Sequence, residues 1–93
     1  EEKLQEIEEQ KPIVESLIIG DKTVYPYDEK TYSISENITG GRWEISNKKA
    51  VILEQNDKTM KLAIVWGKSG SFDIFYKREG FEDIVLPITI KSL

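Results

Sequence analysis

Neither cysteine nor histidine occurs in this chain of 93 residues. Without cysteine there is no disulfide scaffold, no thiolate nucleophile and no Cys-ligated metal, so the fold must rest on packing alone. The compartment stays open on that evidence. Without histidine there is no Ser-His-Asp or Cys-His arrangement, no zinc site of the usual ligands and no imidazole proton shuttle. No apolar run approaches the ~18–20 residues of a membrane span, and no secretory leader pattern is visible. The chain also opens without Met, inside a charged stretch, and reads as a piece of a longer protein.

What is present suits one globular domain. Apolar residues make up 39% and aromatics 10% of the chain, too much for a disordered segment. A chain of this length has room for a single core, burying roughly 60–65% of its extended surface. The net charge of −4 is unevenly placed. Glu1, Glu2, Glu6, Glu8, Glu9 and Glu15 face only Lys3 and Lys11 within residues 1–16, which therefore carry −4, whereas residues 17–93 hold eleven charges of each sign. Neither part offers the strong basic patch that nucleic acid demands.

Residues 1–12 read as an acidic helical or disordered arm. EEKLQEIEEQK consists of good helix formers with Leu4 and Ile7 on one face, and Pro12 stops it. A linker and the end of an oligomerising coiled coil are both open for this arm. From residue 13 the hydrophobic period becomes two. Strands are expected at residues 14–19, 31–35, 42–46, 50–53, 60–66, 71–77 and 84–90, with a short extended segment at 23–25. Turn clusters separate them: Gly20-Asp21, Pro26 with Asp28, residues 37–41, Asn47-Lys48, residues 56–58, residues 67–70 and residues 78–81. About seven strands with turns every ~8–12 residues make an all-β sandwich over residues 13–93. No helical segment alternates with them to cover a parallel sheet. Pro87 suggests an edge or bulge in the last strand, since it cannot donate to a ladder.

Chemistry-bearing motifs are few. Gly67-Lys68-Ser69 mimics the end of a phosphate loop, but Leu62 stands where that motif needs glycine, and a strand follows instead of a helix. It reads as a turn. Asn37-Ile38-Thr39 fits the glycosylation pattern and reads as chance in a polar loop. Glu82 and Asp83 are neighbours, so a strand would point them to opposite faces. Asp21, Asp28 and Asp57 are scattered, and no EF-hand-type loop exists. No metal, no cofactor and no catalytic residue is therefore expected. Alternation assigns Trp43, Trp66, Phe72, Ile74 and Tyr76 to the core. Tyr25 and Tyr27, flanking Pro26, and Phe81, beside Gly80, fit that pattern less well and are candidates for partner contact.

Trp43 on the third strand and Gly70-Ser71-Phe72-Asp73-Ile74 on the sixth resemble immunoglobulin-like domains. Phe72 takes the slot of the corner tyrosine, which it cannot serve without a hydroxyl, and Ile74 that of the second cysteine. The pattern is closer to PKD-like and bacterial or viral Ig-like domains than to antibody domains. Ile19-Gly20, Val24-Tyr25-Pro26-Tyr27-Asp28, Gly40-Gly41-Arg42-Trp43, the stretch 67–72 and Ile88-Thr89-Ile90 resemble Ig-like modules attached to tail proteins of phages and prophages of Gram-positive bacteria.

That resemblance implies a non-enzymatic spacer or adhesion module of a larger protein, on a virion tail or cell surface. Its partners would be the parent's other domains and a host cell-surface glycan or protein, with no nucleic acid and no membrane insertion. In an Ig-like order, residues 37–42 and 78–82 share one end, so Asn37, Arg42, Arg78 and Phe81 are the expected contact residues, with Lys77 adding positive character. Two alternatives stand beside it: a carbohydrate-binding module appended to an enzyme, and an assembly interface built through the arm.

Overall fold

The computed structural model describes residues 17–92. The acidic arm, and residues 14–16 of the expected first strand, lie outside them. The described chain is all-β: β1 (Ile18–Ile19), β2 (Thr23–Val24), β3 (Glu29–Ile34), β4 (Arg42–Ile45), β5 (Ala50–Gln55), β6 (Thr59–Ile64), β7 (Gly70–Lys77) and β8 (Ile84–Ile90). Two four-stranded sheets form, in the orders β1-β3-β6-β5 and β2-β8-β7-β4. All pairings are antiparallel except β2 with β8.

Alternation explains which faces meet. Tyr32 and Ile34 of β3 and Met60, Leu62 and Ile64 of β6 point inward from one sheet. Trp43 of β4, Phe72, Ile74 and Tyr76 of β7, and Leu86, Ile88 and Ile90 of β8 do so from the other. They join in one apolar cluster, in which Trp43 meets Tyr76 edge-to-face at 5.2 Å. Fully burying a side chain of this size stabilises by about 1.5–3 kcal/mol, so the shared core holds the sheets together.

Two sequence expectations change. Among the described residues the strands number eight rather than about seven, because residues 23–24 become β2. Two residues are too few for a period to register. They are held by tertiary bonds, the Thr89 N–H donating to the Lys22 carbonyl and the Lys91 N–H to the Val24 carbonyl, both at 2.9 Å. Trp66 is not in the core but half-buried against it. β6 ends at Ile64, so alternation no longer governs Trp66, and its indole N–H turns to the Ser69 carbonyl at 3.2 Å. Phe72 lies in the core, and the buried tyrosine hydroxyls that form hydrogen bonds are those of Tyr32 and Tyr76. Pro87 stands on β8 beyond β2, which covers only Thr89 and Ile90.

The registers separate two ends. Leu17 lies at one, its carbonyl accepting from the Ser35 N–H, beside residues 35–41, 56–58 and 78–83. Residues 25–28, 46–49 and 65–69 form the other, where Lys91 leaves β8. The described chain enters at one end and leaves at the opposite one.

Candidate functional site

The contact residues expected from sequence divide between the two ends. Asn37, Arg42, Arg78 and Phe81 gather at the entry end, whereas Tyr25 and Tyr27 lie at the exit end.

At the entry end β7 and β8 are joined by a loop that turns through the Phe81 N–H to the Arg78 carbonyl. Phe81 remains 62% exposed, and the Arg78 guanidinium lies 4.0 Å from its ring centre. Among the described residues the Arg78 Nε is buried without a hydrogen-bond partner. Arg42 pairs in register with Lys77, so β4 brings a second guanidinium alongside. Arg42 is engaged by Glu44 at 2.9 Å and Lys77 by Asp83 at 2.8 Å. The hydrogen bond that Lys77 donates to the Asp83 carboxylate raises the Lys77 pKa above its ordinary value. Asn37 is exposed, but its Oδ1 accepts from the Ser35 hydroxyl and so braces its own turn.

The loop at residues 35–41 is irregular in backbone yet tied down at Glu36, Ile38 and Gly41, and the neighbouring turn at 56–58 is tied to β4. Ile38 is buried. The Lys58 ammonium donates to the Ile38 carbonyl at 2.8 Å and also to that of Glu36. The Tyr76 hydroxyl accepts from the Gly41 N–H and donates to the Asp57 carbonyl, both at 2.8 Å. The Trp43 indole N–H donates to the Asn56 carbonyl at 2.9 Å. Gly41 is required by closeness, since a Cβ there would stand 2.3 Å from the Tyr76 ring. An end already ordered this way spends little conformational entropy on contact. Alternation marked Tyr76 as core, but no local pattern announced the two loops its hydroxyl joins, which meet only in the folded chain.

At the exit end Tyr27 is 72% exposed and adopts φ 67°, the left-handed region that few residues other than glycine occupy. Asp28 holds this turn, its carboxylate accepting from the Tyr25 N–H at 3.0 Å and its N–H donating to the Tyr25 carbonyl at 3.1 Å. The Tyr27 hydroxyl reaches over Gly67, where a Cβ would lie 2.7 Å away. Next to it the Lys49 and Lys68 ammonium groups lie 4.8 and 6.0 Å from the Trp66 ring centre. Lys30 sits between Asp21, at 3.0 Å, and Asp28, at 4.0 Å, and its pKa is raised chiefly by the Asp21 bond. Beneath them the Tyr32 hydroxyl donates to the Asp21 carbonyl at 2.6 Å.

Chemically, the entry end presents a cation stacked on an exposed ring, a combination suited to contact through area and charge. Trp43, at 1% exposure, presents no ring face to a ligand. Among the described residues no group of three or more Asp or Glu side chains is arranged to hold a metal ion. No protein-family model, no curated protein and no solved structure matches this chain.

Proposed function

We propose that the chain is an immunoglobulin-like module acting without catalysis, as a spacer and weak adhesion element of a larger surface protein of the phage-tail kind. The observation that carries this reading is the path of the chain, in at one end and out at the other. Copies or neighbours joined through such a module line up end to end. The strand orders support the Ig-like part. β1-β3-β6-β5 corresponds to the constant-type sheet A-B-E-D, and β8-β7-β4 to G-F-C, with β2 added beside the last strand.

Spacing is tested by joining copies in tandem and measuring solution scattering. β7 alone spans about 27 Å over its eight residues, so each copy should add at least that to the maximum dimension. A collapsed pair would remove the spacer reading. Adhesion is tested with an oligomerised module on glycan arrays and cell-wall preparations, where avidity raises a weak contact by ~10²–10⁴. Phe81→Ala and Arg78→Ala should each lower retention about tenfold without lowering the melting temperature. Retention indifferent to both changes would move the contact away from the entry end, and blank arrays would leave spacing alone.

A further inference from the structure

The charges of the described residues balance in number but not in place. The exit end gathers Lys48 and Lys49 from the β4–β5 turn, Lys68 from the β6–β7 turn and Lys91 at the close of β8. The structure draws these together: the Val65 N–H donates to the Lys49 carbonyl at 2.9 Å, and Ile90 pairs with Gly70. Among the described residues none of the four lysines has a carboxylate within ion-pair distance: Asp21 and Asp28 are engaged by Lys30, and Glu29 by Lys61. Lys49 and Lys68 instead lie over the half-buried Trp66. The result is a basic rim around an aromatic surface that also includes exposed Tyr27.

A partner complementary to this rim occurs in the chain's own sequence. Residues 1–16 carry six glutamates against two lysines, with Leu4 and Ile7 among them. We infer that the basic exit end of one copy docks the acidic N-terminal segment of a second copy, giving head-to-tail association. Glutamates would meet the lysine rim, and Leu4 and Ile7 the surface of Trp66 and Tyr27. The segment joins the module at the entry end, beside Ser35. To reach its own exit end it would have to run back along the strands, about 27 Å or some eight residues fully extended. Glu15 would then fall short of the rim, whereas a second copy can offer its segment without that constraint. Such a contact is heterologous and propagates, so its strength scales with concentration and falls with salt.

The experiment uses the full chain and charge exchange. Sedimentation at low ionic strength should show concentration-dependent association that weakens at least about tenfold at high salt. Lys49→Glu with Lys68→Glu should abolish it, and so should Glu6→Lys with Glu8→Lys and Glu9→Lys in a separate protein. Mixing the two altered proteins should restore association, since each then offers the charge the other needs. Circular dichroism of each alone checks that the fold is kept. A wild-type chain that stays monomeric at every concentration overturns the inference. So does a mixture that fails to associate, the outcome expected if the segment folds back on its own module.

Discussion

Tyr32 carries an unusual load for a core residue. Its ring is fully buried while its hydroxyl donates to the Asp21 carbonyl, close to the Asp21 and Asp28 carboxylates. Burial first, and then those two negative charges, push its pKa up to about 12 from 10.0. The folded chain thus holds this proton more tightly than the unfolded chain does. The stabilisation is fully present below about pH 10 and is lost as pH rises towards about 12. A two-unit shift corresponds to about 2–3 kcal/mol. Denaturant midpoints measured between these pH values should fall for the native chain, and Tyr32→Phe should remove that part of the fall. Equal slopes in both proteins would refute the assignment. Side chains whose work is apolar, such as Phe72 and Ile74, were legible from alternation. The polar work of Tyr32 and Tyr76 was not, because it depends on carbonyls and amides brought close only by the fold.

At the scale of elements, alternation located the long strands and overlooked what protects their edges. β4 ends one sheet, and its outer edge is met by a side chain from the other: Gln55 of β5 accepts from the Trp43 N–H at 2.9 Å and donates to the Trp43 carbonyl at 3.3 Å. An amide here imitates one rung of a neighbouring strand. β5 is itself an edge with Val51 and Leu53 exposed, and its register shifts between Ile52 and Glu54. A bulge of this sort twists an edge away from pairing with another chain. Gln55→Ala should cost about 0.5–1.5 kcal/mol, since water replaces part of the lost bonding at an exposed position. Hydrogen exchange should quicken at the Trp43 amide more than in β7. An unchanged Trp43 rate would mean that the edge is closed by other means. Gln55 drew no notice in the sequence because a polar residue beside a turn cluster is commonplace; its partner lies twelve residues away on the other sheet.

For the molecule as a whole, turn spacing was enough to read an all-β chain, and the uneven charge of the N-terminal segment was plain. Two-residue strands and the clustering of lysines at one end were not, since both arise from parts distant in sequence. β2 is the clearest case. It aligns parallel to β8, and the chain enters and leaves at opposite ends. Tension applied through the two chain directions would therefore pull these strands past one another along their length. The Thr89–Lys22 and Lys91–Val24 bonds then share the load and must yield together, in place of opening one by one like a zipper. Replacing Thr89 with proline removes one of these donors. In single-molecule pulling, Thr89→Pro should lower the rupture force far more than it lowers the melting temperature. A force left unchanged would place the resistance elsewhere. A pair of two-residue segments, minor in the thermodynamics of the fold, would then decide how much mechanical strain the fold withstands when its two ends are dragged apart.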